Sequence, residues 1–436
     1  MACARAGLWL EEVFMGMTLT EKILAGRSDQ KEVKAGDLIF VKPDLMMGTD
    51  ISSPLTIKVF KEMGAKRVSD PSKVALVQDH LIPAKDIQSA ELSKTMRLFA
   101  FDQGIQNYYE VGRSGIAHVL LQEEGLTLPG DVIIGADSHS CTYGALGCFS
   151  TGIGSTDLAA AWALGEIWLR VPESIKIIYQ GKLPEWVVSK DLILLFIKEI
   201  GVDGAVYKAL EFCGETIENL SMESRFTLTN MVIETGGKNG VIKADEVTVE
   251  YLKGKARRDD YILYEPDPDA EYVQTYEYYV SDLEPLVAVP FLPSNVYPLS
   301  EVEKVKVDQV YLGSCTNGRM EDFRLAAKVM RGKKVHPDIR MIIAPGSDHV
   351  FQQLLEEGLA LQFKEAGAVI GSTTCGACFG GHMGVMGENE VGVFTTNRNF
   401  VGRTGHPTAR VYLTNPAVAA ATAVMGRLAH PEEVLH

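Results

Sequence analysis

From residue 307 onward, short apolar runs of strand character alternate with amphipathic helical stretches, and this alternation constrains the chain more than any other feature. Val307–Leu312, Ile339–Ala344, Ala368–Ile370, Val391–Thr396 and Arg410–Leu413 read as strands. Met320–Arg331 reads as an amphipathic helix stopped by Gly332, and Ser347–Glu357 as a second. Ala417–Met425 reads as a buried helix, with Thr414-Asn415 as its cap and Pro416 at the first helical position. Strands alternating with helices imply a mainly parallel sheet covered on both faces, an α/β fold. Polar motifs stand just past the carboxyl ends of these strands, at Gly313–Asn317, Thr374–Cys378 and Asn397-Arg398. Ligands bind at that edge in open α/β sheets. The N-terminal part repeats the pattern. There Lys73–Val77 leads into Asp79-His80, and Asp131–Ala136 leads into Asp137-Ser138-His139.

With 436 residues, a chain of this kind holds about three domains of ~150 residues each. The proline-rich segment 286–302 reads as a linker. A softer boundary lies near Val171–Pro172, after an alanine-rich helix expected over Ser155–Leu169. The expected division is 1–171, 172–285 and 303–436, with residues 1–14 a loose extension before Met15. Lys and Arg total 42 against 57 Asp and Glu, a net charge of −15. That balance argues against non-specific binding to nucleic acid or acidic lipid. The one short basic cluster, Lys253, Lys255, Arg257 and Arg258, runs into Asp259 and Asp260 and reads as a solvated loop. No apolar run approaches the ~18–20 residues of a membrane helix. The first residues make a poor signal peptide, so the seven cysteines read as reduced thiols of a cytoplasmic protein.

Cys375 and Cys378 form C-x-x-C in the glycine-rich loop TTCGACFGGH. By itself the motif fits a redox pair, half a zinc site or part of an iron–sulfur site. The glycines that follow make the redox reading unattractive. Cys315, at a strand end ahead of a helix N-terminus, is the natural third partner, and that place lowers a thiol pKa. Three cysteines leave two readings open. Zinc could complete its set with His382, or a four-iron cluster could use three thiolates and leave one iron open. Cys3, Cys141, Cys148 and Cys213 read as packing residues, with Cys213 after a probable helix.

Five segments in order carry a resemblance over nearly the whole chain from Met15. They are DHLIP from Asp79, GADSHSCTYGALGCFSTGIGSTD, GSCTNGRMEDF, CGACFGGHMG and TTNRNFVGRTGHP. Together they resemble the aconitase superfamily, and within it the large-subunit branch of two-subunit isopropylmalate isomerases and homoaconitases. The resemblance implies three α/β domains around one 4Fe-4S cluster held by Cys315, Cys375 and Cys378, with one iron not ligated by protein. Full-length aconitases add a swivelling domain with a serine base in a G-S-S-R-type motif. No such motif occurs here, so a separate small subunit is expected to supply it.

Water elimination beside a carboxylate needs a base, an acid for the leaving hydroxyl, and positive charge on the carboxylates. The resemblance makes His80 the acid and Asp79 its orienting partner. It pairs Asp137 with His118 and His139 with Glu234. Alone, His118 would read as a satisfied core histidine and Glu234 as a helical glutamate with Asn230 one turn earlier. By resemblance Asn230 and Asn397 neighbour the cluster, Ser138 contacts substrate, and Arg398 and Arg403 grip carboxylates in the bidentate manner of guanidinium groups. Three departures stand out: Ser372-Thr373-Thr374 before Cys375, Gln78 before Asp79, and Thr49 near a position where aconitases use glutamine. The last disfavours citrate. The expected activity is isomerisation of 2-isopropylmalate by dehydration and rehydration, a step of leucine biosynthesis. Homoaconitate hydratase and 2,3-dimethylmalate dehydratase are alternatives in the same class. A non-catalytic RNA-binding protein and a zinc protein are alternatives outside it.

Overall fold

The computed structural model describes residues 16–435. The extension 1–14, with Cys3, lies outside them. Three largely parallel sheets follow one another along the chain. The first runs in the order Asn107–Tyr109, Val74–Val77, Leu45–Thr49, Val132–Gly135, Phe149–Gly152, all parallel. The second runs Asn239–Ile242, Ala209–Cys213, Ser174–Gln180, Gln274–Tyr279, again parallel. The third has seven strands: Val296–Pro298, Leu286–Ala288, Arg410–Leu413, Val391–Phe394, Gln309–Gly313, Arg340–Ala344 and Val369–Ile370. Its first two pairings are antiparallel and the rest parallel.

The inner strands are buried along their whole length, as parallel sheets covered on both faces must be. Pro416–Met425 packs on the third sheet with Ala417, Val418, Ala419, Ala420 and Ala421 all fully buried. Its small side chains let the amphipathic helix Met320–Met330 approach, through Phe323, Ala326, Ala327 and Met330. Among the described residues no helix is long and apolar enough to cross a membrane.

The strands and helices expected between 307 and 425 are present, with ends shifted by a residue or two. Four expectations differ. The alanine-rich helix ends at Leu164, because Gly165 turns left-handed at φ 77°, and Ile167–Arg170 instead pairs antiparallel with Leu38–Val41. The segment 286–302 is no free linker: it supplies two strands of the third sheet. Pro290 and Pro293 lie in the turn between those strands and Pro298 ends the edge strand, places where a missing N–H is tolerated. Cys213 ends a strand rather than following a helix. The basic loop is solvated at its lysines, but Arg257 pairs with Glu124 and Arg258 with the buried Asp131.

The sheets are joined by specific contacts. Ile116 donates to Gly346 O at 2.7 Å and Ser114 N to Asp348 at 2.9 Å. Gly115 lies so close to Ser347 that a Cβ would sit 2.6 Å from its Cα, so only glycine fits. Asn415 ties the second unit to the third. Its Oδ1 caps Val418 N at 3.0 Å, and its Nδ2 donates to Asp191 at 2.9 Å and to Trp186 O at 2.9 Å. Asn415→Ala should therefore lower the unfolding free energy by about 2 kcal/mol, the upper end for a lost cap. Urea denaturation of the purified chain measures it; an unchanged midpoint would remove the joint.

Candidate active site

The loops after the strands at 45–49, 74–77 and 132–135 bring Asp50, Asp79-His80 and Asp137 to one edge of the first sheet. His80 Nδ1 lies 2.6 Å from Asp79 Oδ1 and 3.5 Å from Asp50 Oδ1, and its Nε2 lies 3.8 Å from Asp137 Oδ2. Asp50 also accepts the backbone N–H groups of His80 and Leu81 at 3.0 and 2.7 Å. Asp79 Oδ2 accepts Ala117 N at 2.9 Å. Burial opposes a charge on His80, but Asp79 and Asp50 outweigh it and hold the imidazole well above its ordinary pKa.

The second dyad is His118 Nε2 to Asp137 Oδ1 at 2.8 Å, with His118 Nδ1 3.1 Å from the Tyr143 hydroxyl. Asp137 is partly buried at the cavity wall, yet His118, His80 and His139 together keep it well below the usual carboxylate range. The third is His139 Nε2 to Glu234 Oε1 at 3.0 Å. Arg398 Nε donates to both oxygens of Glu234, at 2.8 and 2.9 Å. Burial and the Arg398 charge push His139 down to about 4, so it is neutral at neutral pH. Ser138 Oγ stands 3.3 Å from His139 Nδ1. Asp137 and Ser138 line a cavity of about 500 Å³ that Lys238, Trp168 and Tyr207 also border.

The third sheet brings the cysteines. Ser314, at φ 89°, turns the chain after Gly313 and presents Cys315 inward. A positive φ at a non-glycine residue is costly and marks a constrained site. Cys375 donates its N–H to Asp79 O at 2.8 Å, which ties the C-x-x-C loop to the His80 turn. Phe379 of that loop sits edge-on to the His80 ring at 5.0 Å. Cys315, Cys375 and Cys378 are all free thiols and buried. Asn397 joins two of them, donating from Nδ2 to Cys315 Sγ at 3.5 Å and accepting Cys378 Sγ at Oδ1 at 3.5 Å. Asn230 donates to Cys315 Sγ at 3.2 Å, and Thr316 bonds both asparagines. Glu234 follows Asn230 on a short 3-10 turn rather than on the same helix.

The expectation that Cys315 has a lowered pKa is overturned. Burial, and then the neighbouring Cys378, push it up to about 12, because its helix begins only at Met320. Cys378 is the exception: a hydrogen bond from Cys375 pulls it down to about 6. Three thiols packed together out of water cannot all ionise unaided, whereas a cationic metal centre offsets that cost. The donor set thus fits a metal–sulfur group. His382, the fourth ligand of the zinc alternative, has its Nε2 on Pro83 O at 2.9 Å. Arg403 Nε is buried with no hydrogen-bond partner among the described residues, a donor left for an anion.

A sequence profile of the aconitase family (aconitate hydratase) matches residues 21–305 and 300–426. The chain belongs to the aconitase family. It is 57% identical to the 3-isopropylmalate dehydratase large subunit of Moorella thermoacetica, over 97% of this chain and 100% of that one. The large subunit of the same name from Aquifex aeolicus is 56% identical over 97% and 98%. 3-Isopropylmalate dehydratase large subunit 1 of Pyrococcus furiosus is 56% identical over 96% and 99%. Among solved structures, Thermococcus kodakaraensis aconitase X aligns with a TM-score of 0.48 and 13% identity over 87% of this chain and 88% of that one, a likeness too loose to add to the assignment. Enzymes of the aconitase family are known to carry 4Fe-4S clusters.

Sequence reasoning missed Asp50, Lys190 and Arg319. Arg319 is buried and donates to Cys315 O at 2.7 Å and His118 O at 2.9 Å, linking two parts of the site. Two departures noted in the sequence have structural partners: Gln78 bonds Tyr108 OH at 2.6 Å, and the fully buried Thr49 pairs with Ser52 Oγ at 3.1 Å. Thr374 Oγ1 likewise donates to Asp79 O at 2.7 Å.

The depressed pKa of His139 has a consequence for stability. The unfolded chain binds its proton near pH 6.5 and the folded chain only near 4. Its contribution is therefore fully present above about pH 6.5 and is lost as pH falls toward 4. Denaturation midpoints at pH 7.5, 5.5 and 4.5 should fall in that order, and less steeply in His139→Gln. An equal slope in the variant would refute the assignment.

Proposed function

We propose that this chain is the large, catalytic subunit of a 3-isopropylmalate dehydratase. It isomerises 2-isopropylmalate to 3-isopropylmalate by removing water and adding it back at the neighbouring carbon, a step of leucine biosynthesis in the cytoplasm. The observation that carries the reading is identity of 56–57% with large subunits of that name over almost their entire length. The paired histidines beside a cysteine trio support it.

In this reading Cys315, Cys375 and Cys378 hold a 4Fe-4S cluster with one iron free of protein ligands, and Asn230 and Asn397 steady its sulfurs. When bound, the cluster supplies a Lewis acid for a hydroxyl and a carboxylate of the substrate. The chain's own residues do the rest. His80 carries the proton for the leaving hydroxyl on Nε2, because Nδ1 is committed to Asp79. Asp50 keeps that imidazole charged and fixes its backbone. Asp137 holds His118, and Glu234 holds both His139 and Arg398. With Arg398 Nε taken by Glu234, its two terminal nitrogens, which make no hydrogen bond among the described residues, face a substrate carboxylate, and Arg403 offers its Nε to the same end. Ser138 contacts the substrate from the cavity wall. The base that removes the carbon-bound proton comes from a separate small subunit, as a serine on its swivel domain.

Protein purified without air should contain about four iron and four sulfide per chain. Cys375→Ser should lose both, together with turnover; one zinc and no sulfide would sink the cluster. His80→Ala should slow turnover by about 10²–10⁴-fold with the cluster spectrum intact. Asp50→Asn lowers the His80 pKa, so the alkaline limb of the kcat profile should move to lower pH. An unmoved limb would remove Asp50 from this role. The purified chain alone should be inactive and gain activity on adding the small subunit; turnover without it would contradict the division of labour.

A further inference from the structure

Lys190 is fully buried on the first turn of the helix Ser189–Ile200, which packs beside the second sheet. Its Nζ donates to Thr395 O at 3.1 Å and to Thr396 O at 2.5 Å. Those two carbonyls immediately precede Asn397, the residue whose amide serves both Cys315 and Cys378. Among the described residues no carboxylate oxygen lies within 4.0 Å of Nζ. The acids nearest to it are otherwise engaged. Asp191 accepts Val188 N, Leu286 N and Asn415 Nδ2 at 2.8–2.9 Å. Asp322 accepts Arg319 N and Asn317 Nδ2 at 2.9 Å each. A buried ammonium given only two carbonyls has lost its hydration without an ion partner, which is costly unless negative charge lies close by.

We infer that Lys190 is the counter-charge of the cysteine site and, through the 395–396 carbonyls, the residue that positions Asn397 against the two sulfurs. The inference rests on the cluster reading above. Three thiolates on an iron–sulfur core leave a net negative centre, and net charge and hydrogen bonding to the sulfurs are what set the stability and potential of such a centre. Desolvation pulls Lys190 down to about 8, and Cys378 is the first charge that opposes the fall, ahead of Asp322, Asp191 and Cys315. The cation is thus delivered by one part of the chain and the ligands by another. This charge touches neither substrate nor reacting atoms, so it acts through Asn397 and the field at the sulfurs.

Three variants separate charge from hydrogen bonding: Lys190→Met removes both, Lys190→Gln keeps a donor without charge, and Lys190→Arg keeps charge. Each is purified anaerobically as the full chain, and its iron and sulfide are measured first. The readouts are the rate of cluster loss to a chelator, followed by absorbance, and the reduction potential of the cluster. Met and Gln should lose the cluster about tenfold faster than the native chain. Their potentials should fall by about 59 mV, a tenfold shift in a one-electron equilibrium. Arg should restore most of both. The apo form of Lys190→Met should resist urea at least as well as native apo protein, because the uncompensated ammonium is gone. A native potential in the Gln variant overturns the inference. So does an apo Met variant that is destabilised or fails to fold, since a purely structural lysine predicts that outcome. If the native chain holds no cluster, the proposed function itself fails, and iron analysis reveals this before any variant is compared.

Discussion

A carboxylate taken out of water without a partner costs several kcal/mol, and this site buries Asp50, Asp79 and Glu234 almost completely. The rest of the arrangement follows from meeting that cost. Asp50 is paid in hydrogen bonds from two backbone N–H groups and in the charge of the His80 ring 3.5 Å away, and Asp79 in hydrogen bonds from the His80 ring and Ala117 N. Glu234 takes His139 and Arg398. None of these carboxylates is free to move without stranding another group, so the imidazoles are held in fixed places before any ligand arrives. Such preorganisation is what electrostatic catalysis requires.

Topology explains how groups so distant in sequence meet. Parallel strands put their carboxyl ends on one edge, and short loops from that edge carry Asp50, Asp79-His80 and Asp137 in the first sheet and Cys315 and Asn397 in the third. The two edges are then locked together by backbone rather than by side chains alone. Cys375 N bonds Asp79 O, and the Gly115–Ser347 approach lies at glycine distance. The cysteine loop and the acid–base turn are therefore one rigid object, and a substitution in either would disturb both.

Much of this was legible in the residues. The strand–helix alternation after 307 is a matter of local periodicity, and the motif at each strand end follows from it. Cys375 and Cys378 stand out by their spacing and glycine content, and Cys315 by its place at a strand end. What failed was whatever depends on a partner far along the chain. Ile167–Arg170 looks like a continuation of an alanine-rich helix until Leu38–Val41 offers it a strand to pair with. Segment 286–302 looks like a linker because the prolines that suit a sheet edge also suit a loop. Asp50 follows an ordinary strand, and Lys190 opens an ordinary amphipathic helix. A single aspartate or lysine in such a place is usually solvated, and only the fold reveals that both are sealed in. The Cys315 thiol differs for a related reason: its sequence position shows a helix start nearby, whereas burial, the larger effect, shows only in the fold.

His80 and His139 are the same side chain, each with a ring nitrogen 3.8 Å from Asp137, yet they are driven in opposite directions. Both are buried, and burial alone would discharge both. His80 faces Asp79 and Asp50, which reverse the effect and keep it cationic. His139 faces Glu234, but that carboxylate is shared with Arg398, whose positive charge cancels the benefit and leaves the ring neutral. One site thus holds a charged and an uncharged imidazole at a single pH, the difference set by two carboxylates on the first ring and by a guanidinium behind the carboxylate of the second. Arg398 thereby keeps a second imidazolium from forming beside the first. Removing it would leave Glu234 to raise the His139 pKa unopposed, and two neighbouring imidazoles would then hold protons.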